Sequence, residues 1–342
     1  MGNHLICFPG KNGGKNGSNG RQSKRSRRKM AAEEELLNRQ ALSRAIHQHQ
    51  LSQRFDGSMS RRIGSTSSRR IALSESNRKL AADFIETAET KKIVLIHGEG
   101  FGAWCWYKSI SLLEESGLLP TALDLLGSGI DRTDADSIST LADYAKPLTD
   151  YLHNLPEGEK VVLVGHSCGG ASISYALEHY SKKISKAIFV SATMVADGQR
   201  PYDVFAEELA SADVLQESQF LTYGNGKDNP PTSLMLDKQQ IKSLYFNQSP
   251  SKDMSLATVS MRPFPLGPIM EKLSLSQENY GSTRRFFIQT LDDFALSPDI
   301  QEKLVRENPP EGVYKIKGSD HCPFFSKPQS LHKIFLEIVQ LP

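Results

Sequence analysis

From Lys91 onward the chain alternates short apolar runs that end in glycine with longer stretches of helical periodicity. Lys92 to Ile96 reads as a buried strand stopping at His97-Gly98, Ala103 to Ser116 as a helix, Leu119 to Leu125 as a strand, and Ser137 to Asn154 as a helix. Lys160 to Val164 is β-branched and apolar, and it runs directly into Gly165-His166-Ser167-Cys168-Gly169-Gly170. A helix is predicted from there to about Tyr180, then a strand over Ile184 to Ser191. Such alternation predicts an α/β fold whose mostly parallel sheet is covered by helices on both faces.

After Ser191 the alternation lapses for about 90 residues, in which helical patches such as Val204 to Leu221 are separated by Pro230-Pro231, Pro250, Pro263, Pro265 and Pro268. It resumes with a strand over Arg285 to Thr290, a helix from about Pro298 to Glu307, a strand over Val313 to Ile316, and a final helix from Gln329 to Leu341. The interruption, about residues 195–283, reads as a cap inserted over the carboxyl edge of the sheet, where ligands bind in open α/β folds. Phe205, Leu209, Leu215, Phe220, Leu236, Leu244, Phe246 and Phe264 are its apolar stock, to be divided between the cleft wall and a small core of its own.

Charge divides the chain differently. The net charge of +2 hides 17 Lys and Arg against 8 Asp and Glu in residues 1–90, and a balance of −7 in the rest. The first 30 residues hold no acid at all and pass through a basic run from Arg25 to Lys29; only Glu33 to Gln50 has a helical pattern there. A segment this polar cannot bury enough apolar surface to offset chain entropy. Residues 1–90 therefore read as a basic extension, and 91–342 as the folded domain. An acid-poor, Ser- and Arg-rich opening fits a transit peptide to the chloroplast. The alternatives are a solvated tail on a cytoplasmic protein and a peripheral membrane contact, the latter through Gly2 and Cys7 as lipid sites, although Ile6 stands where the myristoylation signature has Ser or Thr. No aromatic residues interleave the basic run, so no nucleic-acid partner is expected. No stretch approaches the roughly 18 apolar residues of a membrane span. Four scattered cysteines, Cys7, Cys105, Cys168 and Cys322, make neither a disulfide framework nor a zinc motif, and no metal or cofactor is called for.

Gly165-His166-Ser167-Cys168-Gly169 fits Gly-x-Ser-x-Gly between a strand and a helix, a turn so tight that its central residue is strained and exposed above the sheet. Ser167 is the candidate nucleophile, and it needs a base to take its proton. In hydrolases with this turn the order is Ser, acid, His. His321, in the loop Gly318-Ser319-Asp320-His321 after the strand Val313 to Ile316, is the candidate base; His332 comes later but lies within a helical run and is expected to face solvent. Leu291-Asp292-Asp293-Phe294 follows the preceding strand and offers two acids, of which Asp293 is preferred. The oxyanion of an acyl-transfer intermediate needs backbone donors, here the N–H of Cys168 and the N–H of Glu99. A carboxylate at residue 99 suits that role only with its side chain turned away.

Val94-Leu95-Ile96-His97-Gly98, Gly102-Ala103-Trp104-Cys105-Trp106-Tyr107, Ala122-Leu123-Asp124-Leu125, the Ser167 turn, Lys315-Ile316-Lys317-Gly318-Ser319-Asp320-His321 and Lys327-Pro328 recur in order along the domain. In these the chain resembles the plant methylesterase and hydroxynitrile lyase branch of the α/β-hydrolases, over about residues 91–342. Asn247-Gln248-Ser249-Pro250 and Ser260-Met261-Arg262-Pro263 look like its landmarks in the cap, and the basic extension resembles that of its plastid methylesterase subgroup. The resemblance implies an α/β-hydrolase fold with Ser167, Asp293 and His321 as a triad. It also implies a serine carboxylesterase acting on methyl esters of small hormone acids such as indole-acetic, jasmonic or salicylic acid. Lyases of this branch carry lysine after the histidine and threonine after the early histidine, where this chain has Cys322 and Gly98. Glu99 and Cys168 depart from the esterase pattern, which has a small apolar residue and Leu or Met there. A hormone-binding protein with little turnover would keep the same residues.

Overall fold

Lys92–Ile96 (β1) is buried from Ile93 on and pairs on one side with Leu119–Leu123 (β2) and on the other with Val161–His166 (β3). The computed structural model describes residues 90–204, 206 and 219–342. The basic extension, with Gly2, Cys7 and the helix expected over Glu33 to Gln50, lies outside the described residues, as do Phe205, Leu209 and Leu215.

Ile184–Val190 (β4), Arg284–Thr290 (β8) and Gly312–Ile316 (β9) complete a six-stranded sheet in the order β2-β1-β3-β4-β8-β9, parallel at every pairing. Ile96 lies opposite Gly165, His166 opposite Val190, and Thr290 opposite Ile316. The strands therefore end level, and the loops carrying residues 99, 167, 293 and 321 leave from one edge. Runs of Val, Ile, Leu and Phe with no polar alternation form β3 and most of β4, as a strand buried on both faces requires.

Among the described residues, the helices of six or more residues are Tyr107–Glu115 (α1), Lys146–His153 (α2), Gly169–Tyr180 (α3), Gln240–Tyr245 (α4), Ser251–Ser260 (α5), Pro298–Glu307 (α6) and Pro328–Gln340 (α7). Two expected helices are modified. Ala103–Trp106 is a tighter 3₁₀ turn before α1. Ser137 to Asn154 is broken into short turns and α2, because Pro147, at the start of α2, has no N–H with which to continue an earlier helix.

The insertion between β4 and β8 holds α4, α5 and a three-stranded antiparallel sheet, Gln219–Thr222 (β5), Ser233–Leu236 (β6) and Phe264–Pro265 (β7). The expected helical patch Val204 to Leu221 thus ends in a strand, its local pattern overridden by pairing with β6. Leu236, Leu244, Phe246 and Phe264 are buried as expected, whereas Phe220 is exposed.

Candidate active site

Between β3 and α3 the chain reverses through Ser167, whose φ of 49° is a left-handed value that a side-chain-bearing residue adopts only under constraint. The turn closes because the next helix begins with glycine. A Cβ on Gly169 would lie 2.5 Å from the carbonyl oxygen of His97 at the end of β1. Ser167 thereby stands at the carboxyl edge, beside the loop that follows β1.

His321 reaches the same point from the loop after β9. Its Nε2 is 2.8 Å from Ser167 Oγ and its Nδ1 is 2.8 Å from Asp293 Oδ2. Asp293 comes from the loop after β8 and is fully engaged. Oδ2 also accepts from Thr290 Oγ1 at 2.8 Å and from Gln301 Nε2 at 3.2 Å, and Oδ1 accepts the backbone N–H groups of Ala295 and Leu296. Asp292 points elsewhere, its carboxylate accepting the N–H of Gly318 at 2.6 Å. Ser167, Asp293 and His321 are all buried.

The electrostatics follow from this packing. Burial opposes a charge on His321, but the Asp293 carboxylate, its hydrogen bond and then Glu99 outweigh it, and the imidazole stays more basic than usual. His166, whose ring lies 4.7 Å from that of His321, is driven the other way by burial and then by His321, well below the ordinary range. Burial, reinforced by Glu99, pushes the Cys168 thiol well up, which keeps it out of its nucleophilic thiolate form.

Glu99 departs from expectation. Its carboxylate turns inward: Oε2 accepts the backbone N–H of Cys168 at 3.2 Å, and Oε1 accepts from Ser167 Oγ at 3.1 Å and from the Tyr245 hydroxyl at 2.5 Å. Only three donors around it make the burial of this carboxylate tolerable. Tyr245, at the end of α4 in the cap, also packs edge-on against His321, with ring centroids 4.8 Å apart.

His332 does not face solvent as expected; it is partly buried and its Nε2 lies 2.9 Å from Ser116 Oγ. Tyr245, Thr290, Gln301 and Asp320 were not legible as site residues, since nothing in their spacing separates them from ordinary polar positions. Asp320 accepts from Gln248 N, Ser249 Oγ and Cys322 N, joining the cap to the His321 loop. Its neighbour Ser319 turns inward too, its hydroxyl 3.1 Å from that of Ser326.

A six-stranded parallel sheet, a strained serine turn after its third strand in sequence, and an acid and a histidine after later strands define an α/β-hydrolase, and the model of the alpha/beta hydrolase family matches residues 93–333. An Arabidopsis thaliana protein named "Putative methylesterase 12, chloroplastic" is 66% identical over the whole of both chains. Methyl jasmonate esterase 1 of Vitis vinifera is 37% identical over 73% of this chain and 97% of its own. The crystal structure of an Arabidopsis methylesterase superposes with a TM-score of 0.66 at 35% identity, covering 72% of this chain and 98% of that one. The chain belongs to the plant methylesterase family of the α/β-hydrolases, a family of carboxylic ester hydrolases.

Proposed function

We propose that this chain hydrolyses methyl esters of small, largely apolar acids of the plant-hormone type, with Ser167 as nucleophile, His321 as general base and acid, and Asp293 as the group that orients the imidazole. The observation that carries the reading is His321, within 2.8 Å of Ser167 Oγ through one nitrogen and of Asp293 through the other. Likeness to a relative named for methyl jasmonate supports the hormone class of acid.

In the first step Ser167 Oγ attacks the ester carbonyl carbon as its proton passes to His321 Nε2. The backbone N–H groups of Cys168 and Glu99 receive the oxyanion, each such donor being worth about 3 kcal/mol in the transition state. Collapse of the intermediate expels methanol, which takes the proton from His321. Water then repeats the sequence on the acyl-serine and releases the acid. The mechanism draws on no metal and no cofactor.

Labelling with a fluorophosphonate, followed by turnover on a panel of methyl esters, tests the reading. Ser167→Ala is expected to abolish labelling and to cost on the order of 10⁶ in kcat. Activity of that variant within about tenfold of wild type would remove Ser167 from the role. Rapid labelling without ester turnover would instead favour a ligand-holding protein, a second reading encouraged by the inward carboxylate of Glu99.

The extension of residues 1–90 is proposed as a chloroplast address, supported by its acid-free opening and by the chloroplastic relative that aligns along its full length. A C-terminally tagged chain is expected to be recovered shortened, from the stroma. A full-length product on membranes that becomes soluble on Gly2→Ala or Cys7→Ser would replace the address with an anchor.

A further inference from the structure

We propose that the Glu99 carboxylate is an internal occupant of the oxyanion site and sets the rate at which Ser167 is acylated. This rests on the ester-hydrolase reading and concerns the same site. The N–H of Cys168 is the donor that the tetrahedral oxyanion of an ester requires, and here it is spent on Glu99 Oε2 at 3.2 Å. An ester carbonyl cannot take that donor until the carboxylate withdraws.

Proton counting gives the second argument. Ser167 Oγ has one hydrogen and two acceptors beside it, Glu99 Oε1 at 3.1 Å and His321 Nε2 at 2.8 Å. When the hydrogen points to Glu99, the contact with His321 is a hydrogen bond only if Nε2 carries a proton. Nδ1 must hold another to bond Asp293. That arrangement is an imidazolium between two carboxylates, and an imidazolium cannot accept the serine proton. Glu99 thus favours a resting state in which the nucleophile is hydrogen-bonded but not activated. When the carboxylate leaves, the serine hydrogen turns to a neutral His321 and the donor of Cys168 is freed in the same movement.

Tyr245 holds the occupant in place. Its hydroxyl donates to Glu99 Oε1 at 2.5 Å, and burial together with Glu99 keeps that phenol protonated. Because Tyr245 belongs to the cap and also packs on His321, a ligand that shifts α4 loosens the carboxylate as it enters. The ionisable groups that feel the charge of Glu99 are Tyr245 from the cap, Cys168 from the Ser167 turn, His321 and Cys322 from the loop after β9, His97 on the loop after β1 that carries Glu99, and Tyr144; Asp293 and Asp320 act beside it on His321.

The test compares wild type, Glu99→Ala, Glu99→Gln and Ser167→Ala in the full chain, measuring the second-order rate of fluorophosphonate labelling and kcat/KM on methyl esters. Freeing one oxyanion donor is expected to raise both rates in Glu99→Ala on the order of 10²-fold. Glu99→Gln keeps the shape without the charge and stands in should the alanine variant not fold. It is expected to raise both rates in the same direction and to move the acidic limb of the pH profile to lower pH. Unchanged or reduced rates in both Glu99 variants, with wild type turning over esters through Ser167, would overturn the inference and leave the esterase reading standing. Labelling that persists in Ser167→Ala, or no ester turnover by wild type or by any Glu99 variant, would sink both.

Discussion

Asp320, the residue before His321, accepts a hydrogen bond from Ser249 Oγ at 2.7 Å, although the two lie 71 positions apart and in different parts of the fold. The same carboxylate oxygen takes the N–H of Gln248 at 2.9 Å, while its partner oxygen takes the N–H of Cys322 at 3.1 Å. One fully buried acid therefore fixes both the entry of α5 from the cap and the loop that aims the imidazole. Asp320→Ala strands these donors, at about 1–3 kcal/mol for each that stays buried without a partner. The expected result is a lower thermal midpoint together with a drop in kcat as His321 loosens; an unchanged midpoint by calorimetry would show that the cap is held elsewhere.

Asp292 and Asp293 are adjacent but do different work. Asp293→Asn removes the acceptor of His321 Nδ1–H and should cost about 10⁴ in kcat, the scale on which such a substitution acts in triad hydrolases. Asp292→Asn touches only the N–H of Gly318 and should cost less than tenfold. Steady-state kinetics on one methyl ester ranks them, and the reverse ranking would transfer the orienting role to Asp292.

The basicity of His321 gives a pH dependence with a definite sign. A general base works only when neutral, so kcat/KM should fall as pH drops through the pKa of His321, which lies above the ordinary value of about 6.5. Asp293 is the largest of the groups that raise it. Asp293→Asn should therefore shift the acidic limb downward as well as lowering the plateau. A limb that stays put in this variant would mean that another group titrates there.

Cys168 is buried beside Ser167, and its thiol is pushed well up by burial and by Glu99. Iodoacetamide at neutral pH is expected to leave it unmodified in the folded protein, as peptide mass mapping would show. Cys168→Ala retains the backbone N–H and should change kcat by less than about tenfold. A loss of several orders of magnitude would reopen a thiol mechanism.

Gly169→Ala should destabilise the domain by about 1–3 kcal/mol, the usual cost of forcing an extra methyl into a packed interior. The added carbon would sit 2.5 Å from backbone that cannot swing aside. Chemical denaturation measures the loss, and a variant as stable as wild type would show that β1 and α3 can separate at no cost.

Much of this was written into local sequence. Buried parallel strands are continuous apolar runs, so β1, β3 and β4 stood out to within a residue or two, as did β8 and the half-exposed edge strand β9, and glycines marked where β1, β3 and β9 leave the sheet. Ser167 was legible because a strand, a small-residue turn and a helix must be adjacent in sequence to present it at the sheet edge, and chain order then pointed to His321 and to the pair Asp292 and Asp293. Other features depended on contacts between residues far apart. β5 formed as a strand because β6 offered it a partner. His332 of α7 found Ser116, the residue that ends α1, with no local signal for the pair. The direction of the Glu99 side chain was settled by the hydroxyl of Tyr245, 146 positions away, together with the N–H of Cys168. Sequence fixes which groups a residue carries and the periodicity that folds it. Where a buried carboxylate points is decided by which donors the assembled fold brings within reach, because only paired can it stay out of water.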